Sequence, residues 1–496
     1  MEDKEKQVKK ITPKEEDYSQ WYLDIIENAD LADNSPVRGC MVIKPNGYAI
    51  WENIQGILDK EFKKIGIKNA YFPIFIPQSF FQREAEHIKG FAKECAVVTH
   101  HRLVADSKGK LIPGGKLSEP LVVRPTSETI IYSMYSKWIR SFRDLPVKLN
   151  QWANVVRWEL RTRPFLRTAE FLWQEGHTAH ATKKEADEMT FEILNIYEKF
   201  FKNYLAIPVV KGKKSEQEKF AGAVYTITIE AMMQDGKALQ LATSHMLGQN
   251  FSKPFKVRFT DKDGKLKYVW QTSWGLSTRV IGALIMVHSD NKGLILPPKI
   301  APFQVVIVPI WDKKISRQEL IEKASQIKAK LCQAKISVCL DEQEGRPGEK
   351  FYQWERKGVP LRIEIGIKDI KGKRITLARR DTGEKKSVPL GDFVKEVKAT
   401  LNDIQENLYQ KAVNYSSQLT QEVSNYSQLK SVFENKKAGF ALGFWCGDKK
   451  CELKVKKDTL ATIRCVLFNK KKNKDIGKCV VCQKPAEKKV IFAKAY

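Results

Sequence analysis

Between Lys183 and Leu205, Met189, Ile193, Ile196, Tyr197, Phe200 and Tyr204 recur mostly at three- and four-residue steps among charged neighbours. The spacing predicts an amphipathic helix with its apolar stripe turned to a core. From about Tyr18 to Pro298 such patterns mix with extended ones, without the regular strand-helix alternation of a doubly wound sheet. An α+β domain around an antiparallel sheet is expected there. The run Leu294 to Pro302 contains Pro297, Pro298 and Pro302. Proline lacks an amide donor and restricts the residue before it, so this stretch reads as a linker. Beyond it, FQVVIVPI, SVCL, LRIEIGI and RITLARR read as short strands, and Ser316 to Gln333 and Gly391 to Ala412 as helices. Together they predict a compact α/β domain. The expected divisions are a charged leader at 1–17, an α+β domain at 18–298, an α/β domain at 299–405 and a small C-terminal domain at 406–496.

Length agrees with several domains, since 496 residues exceed what one core usually organises. With 86 Lys+Arg against 58 Asp+Glu the formal charge is +28, so the surface attracts polyanions, nucleic acid first among them. Charge alone equally fits solvated faces, and position has to decide. The start, MEDKEKQVKK, is charged where a signal peptide needs an apolar stretch, and the run Val280 to Val287 is too short to span a bilayer. No membrane association is expected, and the location expected is the cytoplasm. The leader is expected to stay mobile or to fold against a partner. Nine cysteines are an odd number, and Cys40, Cys95, Cys332 and Cys339 stand singly, which suits a reducing compartment.

Three stretches could carry chemistry. In Asn154 to Glu159, apolar residues surround Arg157 and Glu159, which a strand would aim at one face. Arg167 to His177 reads as a strand returning from a polar loop. Trp274 to Ala283 places small residues around Arg279 ahead of an apolar helix, where an arginine can stack on a base or pair with phosphate. Each alone fits a salt-bridged hairpin or an ordinary helix start. Leu121 to Glu128 reads as a helix N-terminus with Ser127 or Thr126 capping and Glu128 favoured by the dipole. Near the C-terminus, Cys446-x4-Cys451 and Cys479-x2-Cys482 have the arrangement of a four-thiolate zinc site, with Cys465 left as a core residue. Four thiolates leave no open coordination position, so such a site is structural.

Taken in order, these pieces resemble a known family. Gly66 to Pro73 resembles motif 1 of the class II aminoacyl-tRNA synthetases, Arg157-Trp158-Glu159 resembles motif 2, and Gly275 to Arg279 resembles motif 3. Thr126-Ser127-Glu128 resembles the amino-acid pocket of the prolyl family. That resemblance implies a class II antiparallel-sheet catalytic domain, an α/β anticodon-binding domain and a small α/β zinc-binding C-terminal domain. It implies activation of L-proline with ATP and Mg²⁺, then transfer to the 3' end of tRNA(Pro). Proline offers a secondary ammonium and a small apolar ring, for which Glu128, Thr126 and aromatic walls are suitable partners. By the resemblance, Arg157, Phe91, Glu94, Trp173, Phe220 and His245 complete that pocket. Arg157 and Arg279 are the implied catalytic pair, holding the α-phosphate and the adenine. Glu159, Arg167, Thr168, Phe171, Gln240, Thr243 and Ser277 are the other implied ATP contacts.

The match continues through Arg346 to Gly366 and Arg379 to Gly383, which resemble the prolyl anticodon domain. Unpaired bases are read by stacking and polar edges, making Phe351, Glu355, Arg362, Lys368 and Asp369 the candidates. Cys446, Cys451, Cys479 and Cys482 match the zinc-binding domain of the archaeal- and eukaryotic-type enzymes, in which the terminal tyrosine turns back towards the active site; Tyr496 is therefore expected to be ordered. The motif 1 match implies a homodimer. Trp173 to Gln240 leaves no room for the editing domain of common bacterial enzymes, and neither the leader nor the Lys470 to Lys474 run matches anything. The threonyl relatives share the catalytic plan but place a zinc-binding cysteine where this chain has Thr126-Ser127-Glu128. A non-catalytic relative could lose its ATP contacts, whereas Arg157, Glu159, Phe171 and Arg279 are all present here.

Overall fold

Period-two stretches in the first half of the chain pair into one large sheet. The computed structural model describes residues 10–82, 94–311, 316–435, 437–468 and 476–496. Phe91, Lys470 to Lys474 and the first nine leader residues lie outside them. The sheet is built from β1 (Lys68–Asn69), β2 (Val147–Val156), β3 (Glu170–His180), β4 (Val210–Lys213), β5 (Tyr225–Met232), β6 (Ala238–Gly248) and β7 (Trp270–Ser277). Helices α1 (Tyr18–Asn28), α2 (Pro45–Lys64), α3 (Glu128–Trp138), α4 (Lys183–Asn203) and α5 (Arg279–His288) belong to the same domain.

Helix α4 follows the apolar stripe. A capping box starts it: Thr182 Oγ1 accepts the Glu185 amide and Glu185 returns a carboxylate to the Thr182 amide. Met189, Ile193, Tyr197 and Phe200 are buried as the spacing predicts, in a core shared with α1, α2 and α5. On the sheet itself, Trp274 lies across Gly176, where a Cβ would come 1.9 Å from its ring. Only glycine fits beneath that indole.

The second domain holds β8 (Val305–Ile310), β9 (Val338–Leu340), β10 (Leu361–Gly366), β11 (Arg374–Arg379) and β12 (Lys385–Pro389) in the order β9-β8-β10-β11-β12. The first three run parallel and the last two antiparallel. Its helices are α6 (Arg317–Gln333), α7 (Pro347–Arg356) and α8 (Phe393–Gln418). The proline-rich joint is not a loose tether. Leu294, Leu296 and Ile300 are buried in the first core and Ile295 in the second, and Arg380 grips both oxygens of Asp290 at 2.7 and 2.9 Å.

Three further differences from the sequence reading have physical causes. Leader residues 10–17 are packed, because Ile11 is buried, the Thr12 amide donates to Asp24 and Lys14 Nζ donates to Gln234. Helix α8 runs past Ala412 and across position 405, since Phe393, Val397, Leu401, Ile404 and Leu408 keep one face apolar and no glycine or proline interrupts them. Finally, the C-terminal strands β13 (Thr420–Glu422), β14 (Phe440–Trp445), β15 (Thr462–Leu467) and β16 (Lys488–Ala493) form no sheet of their own. They join the catalytic sheet through β15 and β4, giving the eleven-stranded order β13-β14-β16-β15-β4-β5-β6-β7-β3-β2-β1. Every pair is antiparallel except the two at the edges, β13 with β14 and β1 with β2.

Two buried histidines give the fold an acid limit. Burial lowers both His180 and His288 from 6.5 to about 4, although the His288 Nε2 to Leu205 carbonyl bond opposes this. Each is neutral in the native state and protonated in the unfolded chain below 6.5. Unfolding therefore takes up protons between those values, and stability falls as pH drops from 6.5 towards 4, then levels for these two groups. The slope is at most about 1.4 kcal/mol per pH unit for each. Urea midpoints measured at pH 7, 6 and 5 should decline steadily, and less so after His288→Gln.

Candidate active site

Two adjoining cavities of about 220 and 180 Å³ open on the pocket face of the sheet formed by β2, β3, β5, β6 and β7. Both are lined by Arg157, Phe171, Ser277 and Arg279. The inner one also has Thr126, Glu128, Trp173, Phe220 and His245 on its walls, with Gln240 and Thr243 beside them. The outer one adds Glu159, Arg167 and Thr168. Glu94 lines this outer cavity, not the inner one where the resemblance put it.

Arg157 does not lie on a strand as the spacing implied. β2 ends at Val156, and Arg157 begins the turn, its amide bonded to the Ala169 carbonyl at 2.8 Å. Its Nε donates to the Pro125 carbonyl at 3.0 Å, and its guanidinium lies 5.5 Å from the Phe171 and Trp173 rings alike. Arg279 opens α5, donating from Nε to Leu166 and from Nη1 to Gln240, both backbone carbonyls. Its deep setting, and then the charge of Arg157, push it down to about 10. Arg157 is lowered by the same desolvation, against the opposing pull of Glu128, Glu94 and Glu175. Two cations held close in a low-dielectric wall repel each other, and an anion between them removes the repulsion. Nearby, Glu159 accepts from Arg167 Nε at 2.5 Å.

In the inner cavity the Thr126 hydroxyl donates to Glu128. Both nitrogens of His245 are engaged, Nδ1 with Thr226 at 2.8 Å and Nε2 with Thr243 at 3.0 Å, and its ring stands 4.6 Å from that of Phe220. Neither Thr126 nor Ser127 caps α3 with its side chain. Instead Ser127 Oγ donates to Glu175 at 2.5 Å, where Gln151 Nε2 also donates at 2.6 Å. His177 Nε2 approaches the other oxygen at 2.9 Å. Burial favours the neutral acid, but the His177, Ser127 and Gln151 bonds outweigh it and hold Glu175 below the usual carboxylate range.

Glu175 and His177 lie within the Arg167 to His177 stretch but, like Gln151, were given no role from the sequence. Their signal was there, as Glu175 and His177 stand two apart on a strand and so share a face. Arg124, within the Leu121 to Glu128 stretch, also had no role from the sequence. It is 1% exposed and donates to the carbonyls of Phe72 and Asn154 and to the Asn154 side chain, fastening the Thr126 to Glu128 segment to β2.

In the second domain, Phe351 and Glu355 lie one turn apart on α7, and Arg362 of β10 sits 4.0 Å over the Phe351 ring while bonding Glu355 and Glu364. Lys368 and Asp369 lie at the opposite end of β10, in the short helix Ile367–Lys371, where Asp369 caps the Gly366 amide at 2.9 Å.

The four cysteines also converge. Cys446, Cys451, Cys479 and Cys482 place their Sγ atoms within 4.8 Å of one another, with Cys446 to Cys451 at 3.7 Å and Cys446 to Cys482 at 3.8 Å. Zinc-thiolate bonds of about 2.3 Å in a tetrahedron require edges of about 3.8 Å, so the donor set fits that ion. Cys465 lies apart from them, buried on β15. Tyr496 is ordered: its amide donates to Ala238, its hydroxyl to Asp235 at 2.7 Å, and Arg163 and Lys237 flank its ring.

Family comparison covers all three modules. Residues 115–288 match the tRNA synthetase class II core domain (G, H, P, S and T), 304–400 an anticodon binding domain, and 426–496 the prolyl-tRNA synthetase C-terminal domain. Over the full length the chain is 56% identical to a proline–tRNA ligase of Porphyromonas gingivalis, covering 99% of this chain and 100% of that protein. Proline–tRNA ligases of Bacteroides fragilis, at 54%, and Amoebophilus asiaticus, at 53%, are matched over 99% and 98% of this chain and 100% of theirs.

Proposed function

This chain belongs to the prolyl-tRNA synthetase family and charges tRNA with proline, and from that premise we propose how its side chains divide the work. The inner cavity takes proline, with its ammonium at Glu128 and Thr126 and its ring against Trp173, Phe220 and His245. The outer cavity takes ATP, with the α-phosphate at Arg157, adenine between Phe171 and Arg279, and the remaining phosphates near Arg167 and Glu159. The observation that supports this division is the arginine pair common to both cavities, since the bond made in the first step joins the two substrates there.

The proline carboxylate attacks the α-phosphorus, pyrophosphate leaves, and the terminal ribose of tRNA then attacks the mixed anhydride. No side-chain nucleophile is needed. Arg157 and Arg279 orient the phosphates and take up charge that grows in the transition state. Glu94 and Glu159 are the carboxylates of the outer cavity, the donor type that holds Mg²⁺ together with phosphates. When bound, Mg²⁺ neutralises charge on the leaving pyrophosphate. Amino-acid-dependent pyrophosphate exchange tests the reading: exchange with proline is expected, and exchange with threonine but not proline would overturn it.

The short connection from β3 to β6, made of α4, β4 and β5, and the C-terminal module support assigning the chain to the archaeal- and eukaryotic-type form of the enzyme. Cys446, Cys451, Cys479 and Cys482 hold a structural Zn²⁺. Metal analysis should return about one zinc per chain, and chelation should lower the melting temperature by several degrees; a folded, metal-free protein would remove the assignment. A homodimer is supported by exposed Tyr71 and Phe75 beside motif 1 and by Val97, Leu103 and Leu111 on the hairpin of Ala96–Ala105 and Leu111–Val123. No helix among the described residues is long and apolar enough to cross a membrane, and a cytoplasmic place in translation fits. Phe351, Glu355 and Arg362 read the anticodon, with Lys368 and Asp369 at the rim.

A further inference from the structure

Outside the two cavities, a buried group of three charges lies where the C-terminal strands meet the catalytic sheet. Glu230 of β5, 1% exposed, accepts Lys214 Nζ at 2.7 Å and the Thr228 hydroxyl at 3.1 Å on one oxygen. Its other oxygen accepts Nε and Nη2 of Arg464 at 3.1 and 3.0 Å, and Arg464 belongs to β15 in the C-terminal module. A carboxylate this deep is costly unless its partners stay in place.

The location gives the cluster a consequence for catalysis. Glu230 pairs directly with Gln240 across β5 and β6, at a bulge that begins after Ile229. Bulges re-aim side chains beside active sites, and here Gln240 lines the inner cavity while its carbonyl accepts Arg279 Nη1. Thr226, Thr228 and Glu230 share one strand face by their period of two, and Thr226 lines the same cavity. The floor of the active site therefore runs on, without a break, into the ion cluster.

We infer that Arg464, from outside the catalytic domain, is a positioning residue for the ATP subsite: it neutralises Glu230 and fixes the bulge that sets Gln240 and Arg279. Without it, Glu230 carries a charge matched only by Lys214 and competes with the nucleotide for Arg279, whose charge Glu230 already supports electrostatically. The proline ammonium is recognised at Glu128 and Thr126, on another element, so proline binding should move less than ATP binding.

The inference rests on the ATP-site reading above, and the test separates the two. Pyrophosphate exchange is measured against ATP and against proline for wild type, Arg464→Met and Arg464→Lys. Arg464→Met is expected to raise the ATP KM about tenfold and to leave the proline KM within about twofold. Arg464→Lys, which keeps the charge but loses the two-nitrogen grip, should raise the ATP KM about threefold. Equal rises in both KM values, or an unchanged ATP KM in folded Arg464→Met, would overturn it. If Arg464→Met does not fold, Arg464→Lys decides alone: an unchanged ATP KM counts against the inference. Failure of the ATP-site reading looks different, because Arg157→Ala would then keep its exchange activity.

Discussion

Arg157→Ala should reduce proline-dependent pyrophosphate exchange by about a thousandfold, at the upper end of what loss of one preorganised charge-stabilising donor costs. The guanidinium is held before substrate arrives, by its bond to the Pro125 carbonyl and by the Phe171 and Trp173 rings. Its removal deletes a group already oriented towards developing charge. It also relieves the repulsion on Arg279, which offsets part of what the lost Pro125 bond and ring contacts cost, so the variant should still unfold cooperatively in a thermal melt. tRNA binding, which draws on the anticodon module and the wider basic surface, should change by less than about threefold in a filter assay. Loss of tRNA binding together with exchange would mean that Arg157 acts through folding. Arg157→Lys should fall between the two, because a point charge cannot supply a planar fork.

Glu128→Gln is the second large effect, and it should separate the substrates. A buried carboxylate facing a secondary ammonium contributes charge as well as geometry, and a site built on polar pairing discriminates steeply when one partner is lost. Proline kcat/KM is expected to fall about a hundredfold while the ATP KM stays within about twofold. Glutamine keeps an oxygen for the Thr126 hydroxyl, so the packing survives and the charge is what changes. An equal loss for both substrates in steady-state exchange would show that Glu128 supports the sheet and does not bind the amino acid.

Several elements were legible in the sequence for clear reasons. The α4 stripe persists over many turns, and the strands of the second domain are dense in β-branched residues with turn residues between them. The arginines, Thr126 and Glu128 were singled out through the family resemblance and the cysteines through their paired spacing; the structure brings the first four to the two adjoining cavities and the cysteines to one cluster. What was missed depends on partners distant in sequence. Glu175 gains its character from Ser127, Gln151 and His177, and Arg124 from carbonyls at Phe72 and Asn154. β4 spans Val210–Lys213, too short to show a period, and its pairing with β15 is set by Val466 and Leu467. A local pattern carries no trace of such a join, so the C-terminal module read as a separate body.

The shared sheet bears on how the protein can be made. β16 lies between β14 and β15, and Lys494 just beyond it accepts the amide of Ala238, two residues before Gln240. A ribosome adds about 5–20 residues per second. β4 therefore emerges on the order of ten seconds to a minute before its outer neighbours have been synthesised. An unpaired strand edge is a template for wrong partners during that interval. The outer edge of β4 thus waits unpaired while the anticodon module is being translated, and the sheet is complete only after the ribosome has passed Lys494.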